Sequence, residues 1–193
     1  MTREELKNKI ISFGIEISFP EEDTLFLTLS VNPSHLHQLA KQLKEETDTS
    51  FDYMFCQTGI DWLENMEIVY HLRSTSHGHE VVIKTQITER ENPKIDSVYD
   101  LWKTADFHER EIFDLLGIRF NNHPDLRRIL TDYNFKGYPL RKDFPLTGYN
   151  EVRYSEDEKK VIYEKVKLEQ NYRNFDYESP WEGTKYIKDQ SKD

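Results

Sequence analysis

The chain opens on a short amphipathic period. Leu6 and Ile10 stand one turn apart, and Thr2 with Glu5 has capping-box spacing. Together they predict a first helix that stops at Gly14. Ile15, Ile17 and Phe19 then alternate, Pro20 to Asp23 turns the chain, and Leu25, Leu27, Leu29 and Val31 alternate again. The two runs predict a β-hairpin with one buried face. Asn32-Pro33-Ser34 is a helix-start signal, after which Leu36, Leu39, Ala40 and Leu43 share one helical face. Three further strands are expected. Phe51, Tyr53 and Phe55 alternate; so do Ile68, Tyr70 and Leu72; Val81 and Ile83 open the third, and RSTSHGHE reads as the hairpin turn before it. This order predicts an α+β domain, a mixed or antiparallel sheet of about five strands packed with helices.

From Ser97 the period changes. Ser97 and Asp100 mark a helix start, and Leu101, Ala105, Ile112, Leu115 and Leu116 can share a face, with a break expected across Phe107 to Glu111. Gly117 suits a left-handed helix end. Pro124 suits the first turn of a short helix from His123 to Leu130. Beyond Leu130 the pattern fades into Pro, Gly and Tyr, with one extended piece at Val161 and Tyr163. The expected division is an α+β domain over 1–130, with signature helices at 97–130, and a long, largely irregular C-terminal arm over 131–193. Such an arm has no core of its own and is expected to lie on a partner.

Charge sharpens this picture. The net charge is −10, yet Ser97 to Leu146 holds eight acidic and eight basic residues and is neutral. Aromatic and aliphatic residues are threaded between those charges. The pattern predicts ion pairs buried together with apolar side chains. The negative balance disfavours nucleic acid, and no apolar run is long enough to span a bilayer. The first residues have no signal-peptide character. Cys56 is the only cysteine, which excludes an intrachain disulfide and points to a reducing compartment.

No motif for catalysis emerges. His108-Glu109-Arg110-Glu111 lacks the second histidine of a zincin helix, because position 112 is Ile. His77 and His79 lack a third ligand nearby. Cys56 sits in an alternating run and reads as a small buried hydrophobe. Neither a nucleophile elbow, a phosphate loop nor a dinucleotide fingerprint is present. Asp125, Arg127 and Arg128 read as salt-bridge formers.

The stretch nonetheless resembles the signature region of the C subunit (30 kDa-type) family of proton-translocating NADH–quinone oxidoreductase, respiratory complex I. The family pattern falls on Glu109-Arg110-Glu111, Asp114, Leu115-Leu116, His123, Arg127 and Ile129 without departure. The block Gly137 to Leu146, with Pro139, Arg141 and Asp143, and the ending Asn174 to Gly183 are also similar to that family. The likeness runs from about Phe51 to Gly183.

What the resemblance implies is a non-catalytic scaffold of the quinone module. The complex carries electrons from NADH through FMN and iron–sulfur clusters to quinone, coupled to proton translocation. This chain would bind none of those groups; other subunits would. It would be peripheral, on the cytoplasmic side of the bacterial inner membrane, in a hetero-oligomer with the D and B subunits, its arm wrapping the former. Expected signature and docking residues are Glu109, Arg110, Glu111, Asp114, Gly117, His123, Pro124, Asp125, Arg127, Arg128, Pro139, Arg141 and Asp143, with Phe175, Tyr177 and Trp181 as aromatic anchors. Alternatives are the equivalent scaffold of a membrane-bound hydrogenase or of a ferredoxin- or deazaflavin-linked dehydrogenase, and a free-standing hydrolase or metal enzyme using His108 and His123.

Overall fold

The computed structural model describes residues 1–20 and 24–167. They fall into two compact units, Met1–Gly148 and the part of Tyr149–Asp193 that is described.

The first unit begins with α1 (Arg3–Ile11), whose capping box is formed: the Glu5 amide donates to the Thr2 hydroxyl and the Thr2 amide donates to the Glu5 carboxylate. β1 (Ile17–Ser18) and β2 (Leu27–Val31) form the expected antiparallel pair. α2 (Pro33–Glu45) starts at an Asn32 cap and buries the four apolar positions predicted for it. β3 (Tyr53–Asp61), β4 (Met66–Arg73) and β5 (Glu80–Ile87) complete a five-stranded mixed sheet of order β1-β2-β5-β4-β3. Within this sheet the β2–β5 pair is the parallel one, because α2 and two strands separate them in the chain. The inward faces of Leu27, Leu29, Ile68, Tyr70, Leu72, Val81 and Ile83 share one core with Leu6, Ile10, Leu36, Leu39 and Leu43.

Two strand expectations change in detail. Leu25 is 88% exposed, because β2 begins only at Leu27. Phe51 is buried ahead of β3, whereas Tyr53 and Phe55 point outward, and Met54 and Gln57 point in. Because Phe51 lies before the strand and Tyr53 already points outward, alternation carried from Phe51 into β3 assigns the wrong face, and a bulge between Met54 and Cys56 shifts the register further on.

The signature region departs most. Only α3 (Ala105–Leu116) is helical, and it runs unbroken through Phe107 to Glu111. Residues 97–104 are turns, preceded by the short strand β6 (Lys94–Asp96), which pairs in parallel with β7 (Arg119–Asn121). α3 lies close on β3: a Cβ at Gly59 would sit 2.5 Å from Leu116 Cδ1 and 3.1 Å from Ile112 Cγ2. The helix expected at 123–130 does not form. Its backbone groups are taken by side chains of α3 instead, as set out below.

The compact first unit extends to Gly148, past the boundary expected at 130. The second unit contains β8 (Asn150–Ser155) and β9 (Lys160–Lys165), an antiparallel hairpin that includes the extended piece anticipated at Val161 and Tyr163. Among the described residues, no helix is long and apolar enough to cross a membrane.

Candidate docking site

The signature residues form three polar nodes around α3. The first caps its C-terminal end. A helix leaves its last carbonyls without intrahelical partners, and cations there meet the negative end of the helix dipole. Here the Phe113 carbonyl accepts from Gly117 N, and the Asp114 carbonyl accepts from Arg128 Nη1 at 3.1 Å. The Leu115 carbonyl accepts from Leu140 N, and the Leu116 carbonyl accepts from Arg141 Nε at 2.6 Å. Gly117 has φ +79°, the left-handed C-cap that the sequence suggests. The Tyr138 ring lies against that glycine, so that a Cβ there would meet Tyr138 Cε2 at 2.6 Å. The guanidiniums of Arg128 and Arg141 lie 5.4 and 4.9 Å from the centre of the same ring. The Gly137 to Asp143 block is thus a clasp over the end of α3.

The second node is Asp114, whose side chain is fully buried. One carboxylate oxygen accepts from the amides of Ile129, Leu130 and Thr131 at 2.7–3.0 Å. The other accepts from Arg128 Nη1 at 2.7 Å and from the Thr131 hydroxyl. Burial alone would raise its pKa; the bonds from Thr131, Arg128 and Leu130 outweigh it and hold the carboxyl well below the usual carboxylate range. Arg110, 8% exposed, donates to the carbonyls of Arg127 and Arg128. Between them, Arg110 and Asp114 take the carbonyls of 127 and 128 and the amides of 129–131 in a non-helical shape, which is why the expected short helix is absent.

The third node surrounds Glu109, which is fully buried. It accepts from Ser97 Oγ at 2.6 Å and from Val98 N at 2.9 Å. His123, whose side chain is also fully buried, has Nε2 3.9 Å from Glu109 Oε2 and 3.5 Å from Asp106 Oδ1. Burial pushes the Glu109 carboxyl up to about 7, against the bonds from Ser97 and Val98.

The remaining predicted residues are outward. Glu111, Pro124, Asp125, Arg127 and Asp143 are exposed, and Pro139 is half-buried. Arg127 pairs with Asp125 at 2.8 Å, both side chains 56% exposed. Phe175, Tyr177 and Trp181 lie outside the described residues. A further anchor was not anticipated: Asp61, at the end of β3, accepts from Arg90 Nη2 at 3.0 Å and from Lys142 N at 2.8 Å. Arg90 also reaches Asp143 at 3.0 Å. Burial would raise the Asp61 pKa; Arg90 and the amides of Lys142 and Leu63 hold it down. Neither residue carries a local pattern, since they meet only in the fold.

In and beside the clasp segment, large apolar side chains face outward: Leu130, Tyr133, Leu140 and Leu146 are 59–90% exposed, and Phe107 near the start of α3 is exposed as well. On the hairpin, Val152 faces Tyr163 and Tyr154 faces Val161 across the strands, so all four share one face. The opposite face carries the Arg153–Glu164 ion pair. No group of three or more His, Cys, Asp or Glu able to hold a metal occurs among the described residues. His77 and His79 direct their Nε2 atoms at the Thr47 and Thr49 carbonyls.

Residues 29–150 match the family model of the respiratory-chain NADH dehydrogenase 30 kDa subunit. The chain is 50% identical over 160 residues to the C subunit of the NADH-quinone oxidoreductase of Hyphomonas neptunium, covering 81% of this chain and 78% of that protein. It is 43% identical over 189 residues to the corresponding C subunit of Ruegeria pomeroyi, covering 96% and 91%. Among solved structures it is similar to one polypeptide of the membrane-bound sulfane sulfur reductase, described as an archaeal respiratory membrane complex. The TM-score there is 0.64 at 26% identity, covering 74% of this chain and 85% of that one.

Proposed function

This chain belongs to the 30 kDa subunit family of respiratory-chain NADH dehydrogenases, and from that premise we propose that it is the non-catalytic scaffold of the quinone module in an NADH–quinone oxidoreductase. The carrying observation is its likeness to the C subunits of such enzymes, at 43–50% identity over most of the chain. The lower identity of 26% to the sulfane sulfur reductase polypeptide favours the NADH-linked complex over a sister respiratory complex. The partners are then other subunits of that complex, chiefly the D and B subunits. FMN, iron–sulfur clusters and quinone are held by those other subunits, and the chain is peripheral on the cytoplasmic side of the membrane.

Two features of the geometry support a scaffold. The buried charges of the signature region hold its own loops in place. The apolar surface left over, on the clasp rim and on the hairpin, is contiguous in sequence with the arm. Isolated two-stranded hairpins are marginal in water, and burial of such a face at an interface with another polypeptide supplies what the hairpin lacks.

The test is expression of the affinity-tagged full chain in a bacterium lacking its own gene for the C subunit. The B and D subunits should co-purify and NADH–quinone reductase activity should return. A truncation ending at Gly148 should fail in both. Recovery of the full chain alone, or turnover by the isolated chain, would overturn the scaffold reading.

A further inference from the structure

We propose that the β3–β4 turn is a docking knob: Trp62 and Leu63 at its tip enter an apolar hollow, rimmed by Lys and Arg, on a second polypeptide. That the second polypeptide is another subunit of the complex rests on the scaffold reading above.

The turn is tight and strained. The Trp62 amide donates to the Asn65 carbonyl at 3.0 Å, which leaves Leu63 and Glu64 as a two-residue loop. Leu63 has φ +73°. A positive φ at the first loop position suits glycine, whereas any larger side chain crowds its own backbone. Asp61 holds the shape from below, its carboxylate accepting from the Leu63 amide at 2.8 Å. A bulky residue kept in an unfavourable backbone conformation points to a function for the side chain it displays.

What the turn displays is apolar. Leu63 is 62% exposed and Trp62 55%. The indole is also fixed in direction, because Trp62 Nε1 donates at 3.1 Å to Glu67, itself buried. A large ring tied by its polar edge loses little freedom when its free surface is covered by a partner.

The base of the knob is braced by remote segments. Met66 pairs with both Asp61 and Ile87, so the 88–92 loop leaves the sheet at this same end. Arg90 of that loop and the Lys142 amide of the clasp both donate to Asp61, at 3.0 and 2.8 Å.

The chemistry of the partner follows from the charges around the tip. Glu64, Glu89, Glu91 and Asp143 are exposed there, against exposed Lys142. Arg90 already pairs with Asp61 and Asp143. An acidic rim about an apolar centre complements a basic rim about an apolar hollow. The same acids are repelled by an anionic lipid surface, which favours a polypeptide over a bilayer.

The experiment uses the tagged full chain in the bacterium lacking its own C subunit. Leu63→Gly removes the displayed side chain and relieves the strained φ together. The purified Leu63→Gly chain should melt no lower than the native chain, yet its recovery in the complex should fall severalfold. Glu64→Lys combined with Glu91→Lys should lower recovery likewise. A photocrosslinking residue at position 64 should join the assembled chain to one other subunit, at a segment where Lys or Arg flanks apolar residues. A lower melting point with normal recovery means that Leu63 serves the fold, and overturns the knob. Crosslinks to lipid, to a second copy or to nothing overturn it as well. If Leu63→Gly both melts lower and is lost from the complex, the crosslink decides alone. Recovery unchanged by the charge reversal overturns the basic rim. Should the native chain enter the complex and Leu63→Gly enter equally, the knob alone falls; should the native chain stay out, the scaffold reading falls and the knob with it.

Discussion

Asp114 shows how much one side chain can organise. Its carboxylate receives three consecutive amides, a hydroxyl and a guanidinium. Asp114→Asn keeps the size but removes the charge, leaving Arg128 without its counter-ion in a mostly buried setting. We expect a loss of about 3–5 kcal/mol of stability, read as a fall in the urea midpoint at constant slope. Gly117 is constrained differently, by a left-handed backbone and by the Tyr138 ring. Gly117→Ala should cost about 1–2 kcal/mol from backbone strain alone. It should also displace Tyr138, visible as a change in tyrosine fluorescence or near-UV circular dichroism. The exposed Arg127–Asp125 pair is of another kind: solvent screens it, and within the chain it fixes little. Any large effect of replacing Arg127 must come from an interface.

At the scale of elements, helices and strands with uninterrupted periods were readable. α1 and α2 carried both caps and apolar stripes, and the sequence pattern located them. β3 was readable only as a strand, since buried Phe51 stands ahead of it while its own aromatics Tyr53 and Phe55 face outward. The 123–130 segment had helix signals but became a loop, because buried Asp114 and Arg110 offer its backbone better partners than its own carbonyls do. The β8–β9 hairpin carries the clearest element-level prediction. Val152, Tyr154 and Val161 replaced together by Ser should leave the cooperative unfolding of the first unit unchanged. The same change should lower the amount of chain recovered in the membrane complex, measured by native gel and immunoblot.

For the whole molecule, the buried acids make stability depend on pH. Asp61 and Asp114 are both held below 3.8 in the folded state. Their contribution is therefore present above that value and is lost as pH falls through it and below. The native chain should lose stability steeply between about pH 5 and 2, followed by circular dichroism at fixed urea, and Asp114→Asn should blunt that loss. The fold class, the two capped helices, the charge-neutral signature stretch and the family likeness were all determined by the sequence alone. Each rests on residue order or on spacing within a few turns. Tertiary structure alone decided which acid meets which base, that Asp61 and Arg90 anchor the clasp, and that the first unit runs to Gly148. Those pairings join residues far apart in the chain, and a buried charge takes the partner that the packing brings to it rather than the one beside it in sequence.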